Sequence, residues 1–252
     1  MPDRNAALRA EWRRATTARV GLERAGPALA TQPVLAFRAA HARARDAVHT
    51  GLDEDALAAA FAPRGVIRVH SEARDREEYL RRPDLGRRLH PDFMAQLPGG
   101  PCEVAMICAD GLSALAVQQQ APPFVAALAE ELPGISICPI IVALRGRVAL
   151  SDDVGEAMGA RLAIIMIGER PGLSVADSMG VYITYGPRRG RRDMERNCIS
   201  NIHGDGLSPR AAAAKTAWIV RTAMAMECTG VTLKDEQPMV LGEAETGLIA
   251  GV

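Results

Sequence analysis

Apolar residues follow two different rhythms along the chain, and the change between them lies near residue 100. Over the first hundred residues, alanine, leucine and arginine recur at the spacing of helix faces. This pattern predicts helices over residues 6–20, 34–49 and 54–61. Asp53 precedes the last of them and is predicted to be its N-cap, since a carboxylate can accept the free amide hydrogens of a first turn. The stretch GVIRVHSE at 65–72 is predicted to be extended.

Beyond the Pro- and Gly-rich stretch LPGGP at 97–101, short apolar runs alternate with helical stretches. The runs occupy residues 102–110, 135–144, 161–168, 180–187 and 198–203, and the helical stretches occupy 122–132, 152–158 and 209–227. Ser208 is the expected cap of the last helix. Apolar runs without polar alternation are typical of strands buried on both faces of a parallel sheet. We therefore predict an α/β fold, with an N-terminal helical region over 1–100 and a Rossmann-like domain over 101–252 whose largely parallel sheet has flanking helices.

Composition limits the classes of partner and site. Hydrophobic residues make up 48% of the 252 positions, which is enough for a buried core. Acidic and basic residues number 30 each, so a nucleic-acid partner is not indicated. The five cysteines form no CxxC pair, and no zinc site is expected. No apolar run approaches the length of a membrane span, and we expect a soluble protein of the reducing cytoplasm with no membrane partner.

Polar residues cluster in two loops next to predicted strands. GERPG at 168–172 follows the most hydrophobic strand, and ERNCISNIHGDG at 195–206 surrounds another. Ligands of open α/β sheets bind beyond the carboxyl ends of the strands. The two loops are therefore expected to line one broad crevice. The glycine fingerprint of dinucleotide sites and the Walker phosphate loop are both absent, which disfavours an ordinary NAD or ATP site.

Cys198 and His203 suggest a different chemistry, a thiol nucleophile with its base, as in an α/β-fold cysteine hydrolase. They lie five positions apart across a strand and a turn, so their side chains need not meet. A free cysteine is also commonly a small buried apolar residue. A third interpretation is a scaffold protein that binds no ligand. The residues alone leave these alternatives open.

Two long motifs carry a resemblance to a known family. GERPGLSVADSMGVYITYGPR at 168–188, followed by ERNCISNIHGDG, closely resembles the small subunit of ethanolamine ammonia-lyase. Shorter segments in the same order are also similar to that family: LERAGPALAT at 22–31, YLRRPDLGRRL at 79–89, ICADGLS at 107–113 and TGVTLKD at 229–235. The resemblance covers residues 16–235, which is most of the chain.

The resemblance implies a subunit of a cobalamin enzyme. Such an enzyme converts ethanolamine to acetaldehyde and ammonia by a radical mechanism with adenosylcobalamin, and it is a hetero-oligomer of αβ units. The large subunit holds the substrate in a TIM barrel, while the small subunit covers part of the corrinoid and has no complete active site. The region over 1–100 is then expected to contact the large subunit.

Three positions are implied as cofactor contacts by their motifs: Val148 in RGRVAL, Glu169 in GERPG and Cys198 in RNCISN. The resemblance implies no catalytic residue and no metal ligand from this chain, and the cofactor's own benzimidazole is expected to stay on cobalt. A cytoplasmic location is expected, with a bacterial microcompartment as the alternative. Residues 236–252 extend past the recognisable region and are expected to form a flexible tail.

Overall fold

The computed structural model describes residues 4–16, 18–100 and 102–234 and contains a six-stranded sheet. The strands of this sheet, in chain order, are β3 (Val66–His70), β4 (Cys102–Ala109), β5 (Ile140–Leu144), β6 (Ala160–Gly168), β7 (Met179–Tyr185) and β8 (Asn197–Ile202). Their spatial order is β3-β5-β4-β6-β7-β8. The first four strands in this order, β3, β5, β4 and β6, run parallel to one another. β7 is antiparallel to β6, and β8 is antiparallel to β7. The predicted α/β fold with a largely parallel sheet is confirmed, and its Rossmann-like character stays a prediction.

Helices cover both faces of the central strands, as the unbroken apolar runs predict. Val104, Met106 and Cys108 of β4 pack into a core with helices α6 (Ala114–Glu131) and α8 (Pro209–Met226). The alternate residues of β4, such as Ala105 and Ile107, pack into a second core with helix α7 (Leu150–Ala157). Because successive side chains of a strand point to opposite faces, a strand between two cores must be apolar at nearly every position.

Two of the predicted helix boundaries can be compared directly. Ser208 caps α8 as predicted, and its side chain accepts a hydrogen bond from the amide of Ala211 at 3.2 Å. The prediction that α6 begins at residue 122 is wrong, because the helix begins at Ala114 behind the cap Ser113. Pro122 and Pro123 lie inside it. The apolar face that α6 buries against the sheet holds it together despite the missing amide donors.

Helices also occupy much of the first hundred residues. They are α1 (Arg4–Ala15), α2 (Thr31–His49), α3 (Glu54–Ala60), α4 (Arg76–Arg81) and α5 (Pro91–Met94), with a short hairpin of β1 (Arg24–Ala25) and β2 (Ala28–Leu29) between the first two. The Asp53 side chain accepts from the Ala56 amide at 2.9 Å and is the predicted cap of α3. None of the described helices combines the length and the apolarity that crossing a membrane requires.

The predicted extended segment near residue 70 is confirmed as β3, which forms one edge of the large sheet by pairing with β5. The sheet therefore contains a strand from the first hundred residues. The division of the chain near residue 100 stays a prediction, and the predicted tail over 236–252 lies outside the described residues.

Cys102 and Cys138 are joined by a disulfide that links the start of β4 to the segment before β5, with their Cα atoms 6.0 Å apart. Cys108, Cys198 and Cys228 are free. The two cysteines lie 36 residues apart in the sequence, and this spacing does not predict the bond.

Candidate functional site

The order of the strands creates a crevice at the carboxyl end of the sheet. The helix that follows β4 lies on one face, and the helix that follows β5 lies on the other. The two chain segments therefore leave the sheet in opposite directions at this point, which is where open α/β sheets bind their ligands. A cleft of about 300 Å³ opens here, between the loops that follow β4, β5 and β6.

The walls of this carboxyl-end cleft include an apolar residue, a carboxylate, two arginines and two tyrosines. These are Val148, Glu169, Arg147, Arg170, Tyr79 and Tyr182. A second cavity of about 380 Å³ shares Arg147, Val148 and Tyr182 with the cleft and extends it towards Arg87 and Arg196. The two cavities therefore form one continuous groove.

Two of the three predicted cofactor contacts meet in the cleft, and the third lies at its side. Val148 follows β5 and Glu169 follows β6, and both line the cleft. Cys198, on β8, lies directly opposite Tyr182 of β7, which also lines the cleft. Cys198 is exposed and does not itself line the cavity. Tyr182 thus connects the cleft wall to Cys198.

The carboxylate of Glu169 is held by one of its oxygens. Oε2 accepts hydrogen bonds from Ser178 Oγ at 2.5 Å and from the Asn201 amide at 3.3 Å. Among the described residues, no protein donor is found for Oε1. Gly180 lies beside this oxygen, and a Cβ there would approach it to 3.0 Å. The position of the group is therefore fixed while one oxygen remains available to a ligand.

Arg147 lies over an aromatic ring at the base of the cleft. Its guanidinium carbon is 4.4 Å from the centre of the Tyr79 ring, and Tyr79 is itself fully buried. The Tyr79 hydroxyl donates to the Gly146 carbonyl at 3.0 Å. Burial raises the pKa of Tyr79 far above its ordinary value, although the nearby Arg147 opposes that rise. The hydroxyl therefore stays protonated and continues to donate.

A buried carboxylate joins the loops beneath the cleft. Asp110, at the end of β4, accepts a hydrogen bond from the Gly146 amide at 3.2 Å and pairs with Arg76 at 3.2 Å. Arg76 also donates to the Gly111 carbonyl at 2.8 Å. Burial raises the pKa of Asp110 to about 6, against the opposing effect of Arg76. This one side chain thus ties the loop after β4 to the loop that carries Val148.

The arrangement around Cys198 does not favour the thiol-nucleophile interpretation. Although the residue is exposed, partial desolvation of the thiol raises its pKa; Tyr182 opposes this rise and Glu169 adds to it. An active thiol nucleophile needs a lowered pKa. His203 is engaged locally, since Nε2 bonds to Asn201 Oδ1 at 2.9 Å and Nδ1 accepts from the Asp205 amide at 3.3 Å. Neither ring nitrogen is therefore directed to Cys198.

The polar segment at 195–206 instead has several structural tasks. Arg196 is buried and makes a two-pronged ion pair with Asp152 of α7, with both N–O distances at 2.7 Å. Asn197 donates to the Leu233 carbonyl at 2.8 Å, which fastens the end of the described chain to β8. In the part of the chain that the structure describes, no group of three or more His, Cys, Asp or Glu side chains is placed to hold a metal ion.

Several residues of the cleft were not predicted from the sequence. Tyr79 and Arg147 lie within motifs that carry the resemblance, YLRRPDLGRRL and RGRVAL, but only Val148 was singled out from the second. Tyr182 lies in the apolar run of β7, where the pattern marks it as a core residue. The one sequence signal for Arg147 was its position directly before Val148.

Comparisons with known proteins agree with the resemblance. A family model described as ethanolamine ammonia-lyase light chain (EutC) matches residues 7–234. The ethanolamine ammonia-lyase small subunit of Ralstonia nicotianae is 49% identical over 92% of this chain and 90% of its own length. The protein of the same name from Azotobacter vinelandii is 48% identical over 94% of this chain and 92% of its own. The one from Bradyrhizobium diazoefficiens is 47% identical over 88% of both chains. The chain therefore belongs to the family of ethanolamine ammonia-lyase light chains, or small subunits.

Proposed function

We propose that this chain is the small subunit of an adenosylcobalamin-dependent ethanolamine ammonia-lyase, and that it lines the cofactor site where it meets the large subunit. The enzyme would convert ethanolamine to acetaldehyde and ammonia, as the name of the family and the resemblance of its motifs imply. The observation that carries the proposal is the meeting of Val148 and Glu169 on the walls of one cleft, because these residues were implied as cofactor contacts by separate motifs 21 positions apart.

The cleft suits part of a large cofactor rather than a whole small substrate. Sites that enclose a drug-sized ligand have volumes of about 300–1,000 Å³, and this cleft, at about 300 Å³, is open to solvent and continues into the neighbouring cavity. A corrin is much larger than that volume. The chain would therefore contact one side of the corrin, and the large subunit would enclose the rest.

The side chains in the groove fit the periphery of a corrin. Val148 offers an apolar contact, and the available oxygen of Glu169 can accept a hydrogen bond from a side-chain amide of the ring. Cys198 adds a small, soft group at the side of the groove, where it lies opposite Tyr182 of the neighbouring strand. The order of β7 and β8 keeps this group next to the wall that carries Glu169, because Asn201 of β8 also binds that carboxylate.

The role of this chain in catalysis would be to bind, orient and shield. Bound adenosylcobalamin supplies the radical that starts the reaction, and that chemistry belongs to the cofactor. Val148 and Tyr182 would exclude water from one side of the site. No acid–base pair is needed from this chain, and Glu169 acts as a hydrogen-bond acceptor whose geometry Ser178 holds.

The proposal is tested in the complex with the large subunit. Glu169→Ala is expected to raise the dissociation constant for cobalamin, since loss of a hydrogen bond to a charged group costs about 1.5–3 kcal/mol, or roughly ten- to a hundredfold. The matched control is Glu130→Ala, which removes the same charge from a side chain that is 65% exposed on α6. Binding is followed by the visible absorption of the corrin. Equal affinities of the two variants would remove Glu169 from the site, and a complex that binds no cobalamin would refute the proposed function.

A further inference from the structure

Arg147 is a cation without a counter-charge in the described part of the chain. Its Nε is buried and has no hydrogen-bond partner there, and no carboxylate of the described residues lies within ion-pair distance of its guanidinium. Arg76 and Arg196 also have one buried nitrogen without a partner. Each of them, however, pairs with an aspartate, Asp110 and Asp152 respectively. Arg147 is thus the member of this set that has no counter-charge among the described residues.

The guanidinium is held in place before any ligand arrives. It stacks 4.4 Å from the centre of the buried Tyr79 ring, and the Arg147 amide donates to the Gly86 carbonyl at 2.7 Å. A Cβ at Gly86 would approach both Tyr79 and the Arg147 side chain to 2.8–2.9 Å, so the absence of a side chain at Gly86 makes room for the stack. A planar guanidinium that is fixed on an aromatic ring loses little conformational freedom when it binds an anion.

Closure of a second chain over the cleft makes an anion necessary. Arg147 lines both cavities of the groove and would lose water when they are covered. A guanidinium stays charged under all relevant conditions, and a desolvated charge without a partner is strongly unfavourable. The carboxylates that line the two cavities make other contacts: Glu169 accepts hydrogen bonds from Ser178 and Asn201 through Oε2, and Asp193 lies within ion-pair distance of Arg87 and Arg196. A bound anionic ligand would supply the charge that Arg147 lacks.

We propose that Arg147 binds the phosphodiester of the nucleotide loop of adenosylcobalamin. This inference rests on the proposed function. The amide side chains of the corrin are neutral, whereas the phosphodiester is the anionic group of the cofactor's periphery. Arginine pairs with phosphate through two parallel hydrogen bonds. Glu169 would then hold the amide-bearing ring and Arg147 the charged loop, so that two ionised side chains of the cleft recognise different parts of one ligand.

The test compares cobalamin with cobinamide, a corrinoid that lacks the nucleotide loop and its phosphodiester. Both are titrated, by absorption, into the complex of this chain with the large subunit, for the wild type, Arg147→Gln and Arg147→Lys. Arg147→Gln is expected to raise the dissociation constant for cobalamin roughly ten- to a hundredfold and to leave that for cobinamide unchanged. Arg147→Lys, which keeps the charge, should recover part of the loss. Arg210→Gln, which removes a charge from a side chain that is 78% exposed, is the control and should bind both ligands as the wild type does.

Each other result overturns the inference. If Arg147→Gln weakens the binding of both corrinoids equally, the residue contacts a ring amide or only stabilises the loop that carries it. If it weakens the binding of neither, Arg147 does not belong to the site. Weaker association with the large subunit in the absence of cobalamin would place the anion on that chain. If cobinamide binds too weakly to measure, the dissociation constant for cobalamin is measured at several salt concentrations instead. Because salt screens an ion pair, the affinity of the wild type should fall more steeply with salt than that of Arg147→Gln. An equal salt dependence of the two proteins overturns the inference. A wild-type complex that binds no cobalamin refutes the proposed function itself.

Discussion

Removal of one half of the buried Arg196–Asp152 pair is expected to be the most destabilising conservative change in this region. Both side chains are almost fully buried, at 1% and 3% exposed, and both N–O distances are 2.7 Å. Arg196 also donates to Thr184 Oγ1 at 2.9 Å. Asp152→Asn removes the negative charge that both terminal nitrogens of the buried guanidinium bind, and it leaves the exposed Asp193, 3.7 Å from Nε, as the remaining counter-charge. Loss of one partner of a buried pair typically costs about 3–5 kcal/mol. Since native domains are stable by about 5–15 kcal/mol, this is a large share of the total.

The measurement is urea unfolding of the purified chain by circular dichroism, with thermal unfolding beside it. A loss of about 3–5 kcal/mol corresponds to a fall in melting temperature of about 6–20 °C for a chain of this size. Glu77→Gln is the matched control, because Glu77 pairs with Arg81 and both side chains are more than 70% exposed. Exposed pairs contribute about 0–1 kcal/mol. Adding Arg196→Met to Asp152→Asn should restore part of the stability, because the buried guanidinium charge is then removed as well. A cost for Asp152→Asn no larger than that of the control would refute the reasoning.

Two further predictions concern the carboxyl ends of the strands. Gly168→Ala should lower the free energy of unfolding by about 1–3 kcal/mol, because a Cβ there would overlap the Ser113 carbonyl oxygen. Gly204→Ala, where a Cβ meets nothing within 4 Å, should stay within about 0.5 kcal/mol of the wild type in the same urea assay. Burial raises the pKa of Asp110 from 3.8 to about 6, so between these values the folded state holds a proton that the unfolded chain has released. The free energy of unfolding therefore falls by at most about 3 kcal/mol as pH rises from 3.8 to about 6. Above pH 6, Asp110 adds no further pH dependence. Asp110→Asn should remove that decline, and parallel stability–pH profiles of variant and wild type would contradict the assignment.

The sequence predicts those elements whose residues are set by burial or by local capping. β4 and β6 are apolar at nearly every position because each lies between two cores, and such runs are visible without any knowledge of the partner strands. Ser208 and Asp53 are recognisable as caps because the hydrogen bond that they accept lies three residues away. Signals of this kind depend on neighbours in the sequence, and here they were read correctly.

Features that depend on distant contacts were not predicted. The apolar run of β7 gives no sign of strand direction, and its antiparallel pairing with β6 follows from the loop over residues 169–178 that connects them. The sequence predicts a helix over residues 122–132, whereas α6 begins at Ala114 and its packing carries it through Pro122. The stack of Arg147 on Tyr79 joins residues 68 positions apart, and no local pattern indicates that their side chains meet.

The buried pair and the groove are parts of one arrangement. Asp152 lies on α7 four residues after Val148, and Arg196 lies two residues before Cys198. Their ion pair therefore fixes the distance between the two segments that carry these proposed contacts. Asp110 does the same on the other side, because it binds the Gly146 amide at 3.2 Å, next to Arg147. Charged side chains that do not contact the ligand would thus hold the groove in the shape that a rigid ring requires. The groove would then be open before the cofactor binds.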